Sequence, residues 1–278
     1  MEVTELWTAE DDVSLKTFVE AIEIRDLCGA LLAIEGVSVS AANVCRQQLS
    51  IWSDWVAAEL RTGSLGDPAR ALGHVLGDQL DFRGDEADYH HPDNSRLTVV
   101  SRRRRGLPIL LSALWALVAR GAGIHAEGVG MPGHFILRVG EGAGTLIDPF
   151  NRGAALSPSQ CQRIVGKLLG GKVQWDDAFL EATGWVEWVE RVLRNLVNSH
   201  HRAGATLALY RTTRFLATLR PEQPDALLLH GRIAEEVGAL SEAVATYNDA
   251  ADRFAGSVHG EQAAQRRAEV ATRRQHLH

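Results

Sequence analysis

Hydrophobic positions recur at helical spacing from Val13 to Glu35 with few breakers. They do so again from Ala41 to Leu60, where Val44, Leu49, Trp52, Trp55 and Val56 form the stripe. Gly63 to Pro68 interrupts the pattern. Asp67-Pro68 then offers a capping carboxylate followed by proline at a first helical position, which predicts a helix from Pro68 to about Leu80. Asp81 to Asn94 is polar and reads as a loop. The run from Pro108 to Arg120 (PILLSALWALVAR) is apolar on nearly every side, the pattern of a helix buried all round. Pro108 suits its first turn, where a missing N–H costs nothing, and Gly121 and Gly123 end it.

Strand-like stretches follow at His125 to Val129, His134 to Val139 and Thr145 to Asp148. Gly140 to Gly144 (GEGAG) can only be a turn, so the last two stretches form a β-hairpin. One central helix followed by an antiparallel sheet is an α+β arrangement. Beyond Ser157 the chain reads as helical to its end.

The chain has 278 residues, room for one large domain or two ordinary ones. Hydrophobic residues at 45% and charged residues at 23% are usual for a soluble globular protein. No apolar run reaches the roughly 20 residues of a membrane helix. The acidic start, Met1 to Glu5, lacks the basic-then-apolar order of a signal peptide. The expected location is therefore the cytoplasm. Three cysteines, Cys28, Cys45 and Cys161, without a Cys-x-x-Cys pair argue against a disulfide framework or a cysteine-rich zinc site. A net charge of −6 argues against general nucleic-acid binding. Arg102 to Arg105 is the one strongly basic block; it reads either as a solvated turn before the buried helix or as a cradle for a phosphate or acidic partner. His90 and His91 sit in a polar loop, but as neighbours their side chains diverge on any regular element, which disfavours a metal site.

The hairpin fixes a geometry. With a five-residue loop Val139 lies opposite Thr145, Ile136 opposite Asp148, and His134 opposite Phe150. His134 and Asp148 then share one face as diagonal neighbours, about 7–8 Å apart at the backbone. A carboxylate on one imidazole nitrogen would fix its tautomer and support the imidazolium, as the third member of a triad does. Two polar residues at strand ends beside a turn is the alternative.

Four motifs in order carry a resemblance. They are Asp88-Tyr89-His90-His91-Pro92-Asp93-Asn94-Ser95, Gly106-Leu107-Pro108-Ile109, Gly130-Met131-Pro132-Gly133-His134-Phe135 and Ile147-Asp148-Pro149-Phe150. This run resembles the SirB-type family, bacterial transglutaminase-like (papain-like) proteins with tetratricopeptide tails. The resemblance implies a catalytic cysteine at the start of the central helix, where a helix N-terminus stabilises a thiolate. Counting back from Gly123-Ile124 places that position at Pro108, which has no nucleophile. His134 and Asp148 fill the other two triad positions. Two weak stand-ins are open. Ser112, one turn along the helix, is either a nucleophile or a small core residue bonding the carbonyl a turn back. Cys161 stands on a separate helix start, Ser157 to Cys161.

In the tail, Gly231, Ala234, Gly238, Ala243, Tyr247 and Ala250 fall at the spacings of a tetratricopeptide unit, and the ~34-residue period predicts a degenerate repeat over about Glu190 to Pro221 before it; an ordinary helical bundle is the alternative. Two repeats fall below the three normally needed for independent stability. The expected domains are 1–185, transglutaminase-like, and 186–278, tetratricopeptide-like. Two functions compete. The first is a non-catalytic or weakly active protein that binds a peptide or protein partner, without cofactor, metal, nucleic acid or membrane. The second is an amide-bond hydrolase or acyltransferase using His134 and Asp148 with a non-standard nucleophile. The missing cysteine tips the reading towards the first, and the sequence leaves oligomeric state open.

Overall fold

The computed structural model describes residues 6–62 and 66–275; the acidic first five residues and the interruption at 63–65 lie outside them. The first apolar stretch is not one helix but two, α1 (Ala9–Glu23) and α2 (Leu27–Glu35). The break falls at Arg25, which adopts the left-handed conformation at φ 57°. Asp26 follows in extended backbone ahead of α2. No glycine or proline marks this corner, so the apolar pattern runs straight across it. In α3 (Val39–Thr62) Leu49, Trp52 and Val56 are buried, whereas Val44 and Trp55 of the same stripe stand 64% and 47% exposed. Asp67 caps α4 (Pro68–Leu72) by accepting the Ala69 N–H at 3.0 Å, and α4 runs on into a π-helical segment over Gly73–Gln79.

The polar loop that follows carries β1 (Arg83–Gly84) and leads into a 3₁₀ turn at Pro92–Ser95, after which comes α5 (Leu97–Arg103). β1 pairs in parallel with β2 (Arg105–Gly106). Next comes α6 (Pro108–Gly121), with Pro108 at its first position and ten of its fourteen residues buried, among them Leu110, Leu111, Leu114 and Trp115. Each fully buried side chain of this size contributes roughly 1.5–3 kcal/mol of hydrophobic stabilisation, so the apolar run reads correctly as a central helix.

The sheet runs β3 (Ala126–Val129), β4 (Ile136–Val139), β5 (Thr145–Asp148) and β6 (Ala154–Leu156), each antiparallel to the next. Val139 pairs with Thr145 and Leu137 with Ile147, the register that the Gly140–Gly144 loop requires. β4 begins two residues after His134, so that side chain is delivered by the incoming loop. β6 is an addition to the expected strands. The remaining helices are α7 (Pro158–Leu169), α8 (Trp185–Arg202), α9 (Thr206–Leu219), α10 (Pro224–Glu236), α11 (Leu240–Arg253) and α12 (Val258–Gln275). α7 starts on a reciprocal capping box between Ser157 and Gln160.

The chain divides into two compact units. One is Ala21–Val192; the other joins the described residues up to Glu20 with those from Leu193 onward. In the first, α6 packs on α3 and on β3 and β4. In the second, α10 and α11 approach closely where Gly231 meets Tyr247: a Cβ on Gly231 would lie 2.6 Å from the tyrosine ring. A polar network crosses the same unit. Glu242 accepts from Tyr210 Oη, from His230 Nε2 at 3.0 Å and from Arg214 at 3.1 Å, and the Arg214 guanidinium lies 4.0 Å over the Trp7 ring.

Candidate functional site

The hairpin brings His134 and Asp148 into direct contact. His134 Nε2 donates to Asp148 Oδ2 at 2.9 Å, and both side chains are out of solvent, at 8% and 0% exposure. The backbone does this in two ways. Asp148 ends β5 and caps the 3₁₀ turn Pro149–Asn151, its Oδ1 accepting the Phe150 N–H at 3.0 Å. His134 arrives through the Gly130–Gly133 loop, which Arg191 grips with a fork: Nη1 donates to the Gly130 carbonyl at 2.9 Å and Nη2 to that of Met131 at 3.1 Å. Burial lowers the Arg191 pKa, partly offset by Glu187.

Asp148 Oδ2 accepts a second bond, from Asn151 Nδ2 at 2.6 Å. Three donors therefore converge on one buried carboxylate and fix its orientation. With Nε2 donating, His134 Nδ1 is the nitrogen left with a lone pair, and it makes no hydrogen bond among the described residues. The imidazole also meets the Phe150 ring edge-on at 6.0 Å, and Phe150 meets Tyr89 at 6.1 Å. Tyr89 is 38% exposed. An aromatic wall thus leads from solvent to the His–Asp pair.

Supports reach the pair from further off. Gly77, in the π-helical segment, lies so close to the turn after Asp148 that a Cβ there would stand 2.2 Å from the Arg152 carbonyl oxygen. The Leu107 N–H, one residue before Pro108, donates to the Asn94 carbonyl at 3.0 Å, and Asn94 Nδ2 donates to the Asp88 carbonyl at 2.7 Å. The Asp88–Ser95 motif is in this way tied to the start of α6. His91 caps its own 3₁₀ turn, Nδ1 accepting the Asp93 N–H at 3.2 Å. Among the described residues no three His, Cys, Asp or Glu side chains converge to hold a metal ion.

The stand-in nucleophiles make no hydrogen bond to the pair. Ser112 is fully buried, and its hydroxyl donates to the Phe135 carbonyl at 3.4 Å rather than to a carbonyl of its own helix. Cys161 is a fully buried free thiol whose pKa is raised, first by burial and then by the Asp148 charge. Burial pushes the Cys28 thiol up to about 12, and raises that of Cys45 as well. Neither Ser112 nor Cys161 hydrogen-bonds His134. Asn151 and Arg191 are members of the site that the sequence motifs do not single out. Asn151 was findable, three residues after an aspartate in a Pro-containing turn. Arg191 was not, since 60 residues separate it from Met131.

Comparison with known proteins settles the family. The model of the transglutaminase-like superfamily matches residues 43–194, more than half of the chain. This chain belongs to that superfamily. The superfamily member is 33% identical over 177 residues to a UPF0162 protein of Xylella fastidiosa (strain 9a5c), covering 62% of this chain and 63% of that one. It is 30% identical over 249 residues to F-box only protein 21 of Pongo abelii, covering 84% of this chain and 38% of that one. The human F-box only protein 21 is 31% identical over 186 residues. The chain thus spans less than two thirds of the length of these relatives. No solved structure matches it. Among the described residues no helix is long and apolar enough to cross a membrane.

Proposed function

We propose that this chain is a non-catalytic or weakly active, SirB-type member of the superfamily that binds a peptide or protein partner in the cytoplasm. In this reading residues 1–185 form the transglutaminase-like domain and 186–278 a tetratricopeptide-like one. One observation carries the reading: Pro108 occupies the first position of the buried central helix, where the resemblance expects the cysteine. The His134–Asp148 pair is then a scaffold. It pins the loop and turn that present Tyr89 and Phe150, and this aromatic wall takes apolar side chains of the partner. The close packing of Gly231 on Tyr247 supports a tetratricopeptide-like pairing of α10 and α11.

A test is selection of displayed peptides on the immobilised full chain. The reading expects binders whose affinity falls at least tenfold in Tyr89→Ala, a change at a 38% exposed position that leaves the fold intact. Binders indifferent to Tyr89→Ala and Phe150→Ala alike would refute it.

The free Nδ1 of His134 favours a second reading, an amide hydrolase. There His134 takes a proton from water as the oxygen attacks the carbonyl carbon, and returns it to the leaving amine as the C–N bond breaks. Peptide cleavage abolished by His134→Gln would establish that reading over the first.

A further inference from the structure

The basic block Arg102 to Arg105 splits into two pairs with opposite fates. Arg103 donates to Asp85 at 3.1 Å and Arg105 to Asp81 at 2.8 Å, so these two are neutralised within the fold. Arg102 donates Nε to the Thr98 carbonyl at 3.1 Å and makes no ion pair among the described residues. Arg104 ends α5 in the left-handed conformation, at φ 57°, and makes no side-chain hydrogen bond or ion pair among them. Both are exposed. Both also line one groove of about 570 Å³ between α3 and α5.

The opposite wall of that groove is mostly apolar, with Gln48 its polar member on α3. It holds Val44 and Trp55, the two stripe residues of α3 left 64% and 47% exposed, and reaches inward to Trp52 and Leu80, which are 3% and 5% exposed. Two cations without ion-pair partners among the described residues, facing a concave and mostly apolar wall, are complementary to a ligand with one anionic end and one apolar body. The volume lies within the roughly 300–1,000 Å³ of small-molecule sites, which are likewise apolar with a few polar groups that fix orientation. Along α3 the lining runs through Ala41, Val44, Trp52 and Trp55 and is interrupted by Gln48, while the exposed Val39 and Ile51 lie outside it.

We infer that the α3–α5 groove binds a small single-chain amphiphilic carboxylate, its apolar chain against Val44, Trp52, Trp55 and Leu80 and its carboxylate held by Arg102 and Arg104. Two guanidinium groups suit this head group because each presents a planar fork of N–H donors to a carboxylate. The site stands independently of the His134–Asp148 pair and of the binding function proposed for it.

The test is calorimetric titration of the full chain with dodecanoate below its micelle concentration, alongside dodecanol and dodecyltrimethylammonium as probes of the same chain length. Saturable binding of one dodecanoate per chain is expected, weakened about tenfold in the Arg102→Gln/Arg104→Gln double variant. Val44→Glu, which adds a negative charge at an exposed position, should abolish it, and His134→Gln should leave it unchanged. Dodecanol should bind the wild type and the double variant alike. The absence of saturable dodecanoate binding overturns the inference. So does binding indifferent to both the arginine and Val44 changes, or dodecyltrimethylammonium binding as tightly as dodecanoate. An acidic helical peptide that binds more tightly than dodecanoate and is lost in Val44→Glu would reassign the groove to a protein partner.

Discussion

Asp148→Ala is expected to destabilise the Ala21–Val192 unit by about 3–5 kcal/mol. The carboxylate is fully buried and satisfies three donors: His134 Nε2, Asn151 Nδ2 and the Phe150 N–H. An unpaired buried donor costs roughly 1–3 kcal/mol, so three would cost roughly 3–9. Water entering the vacated volume and the 8% exposure of His134 bring the sum to the lower half of that range. Asp148→Asn should cost only about 1–2 kcal/mol, because a side-chain oxygen can still accept the Phe150 N–H and a neutral imidazole can move its proton to Nδ1. Against a total stability of roughly 5–15 kcal/mol the alanine change is severe and the asparagine change is not. Urea unfolding followed by tryptophan fluorescence reads this unit almost alone, since six of the seven tryptophans lie within it and only Trp7 outside. A loss below 1 kcal/mol for Asp148→Ala, or equal losses for the two variants, would refute the view of Asp148 as the structural hub of the site.

Gly77→Ala should destabilise the same unit by about 1–3 kcal/mol, since the new Cβ would meet the Arg152 carbonyl at 2.2 Å and push the turn after Asp148; hydrogen exchange at 149–153 should rise, and unchanged exchange would contradict the contact. Iodoacetamide at neutral pH should label Cys28, Cys45 and Cys161 slowly, because all three are buried and burial raises each thiol pKa; one fast-labelled cysteine, slowed by His134→Gln, would contradict it. Burial raises the Glu242 carboxyl, but the hydrogen bonds from His230 and Tyr210 and the Arg214 charge outweigh it, leaving its pKa below the ordinary 4.5. A depressed carboxylate stabilises above its unfolded pKa, so this contribution is lost as pH falls below 4.5. Hydrogen exchange in α9–α11 should accordingly rise more steeply with acid in the wild type than in Glu242→Gln.

Local rules made much of the fold legible. The glycine loop Gly140–Gly144 dictated the β4–β5 register, and with it the face shared by His134 and Asp148. Asp67-Pro68 and Ser157-Pro158 started helices through side-chain caps that are visible in the residue types. What stayed hidden depends on long-range packing or on unmarked backbone. Arg25 turns the chain without a glycine, and the π-helical segment over Gly73–Gln79 looks like any helix in its apolar spacing. The split of the arginine block followed from which carboxylates the β1–β2 ribbon happens to place beside it, Asp81 and Asp85. Ser112 bonds Phe135, 23 residues away, which no periodicity reveals.

Intact-protein mass spectrometry of the full chain, during incubation with a peptide that binds the Tyr89–Phe150 wall, tests the central claim most directly. Binding without catalysis predicts an unchanged protein mass and an intact peptide. An acyl adduct on Ser112 or Cys161, or cleavage of the peptide that His134→Gln abolishes, would contradict it.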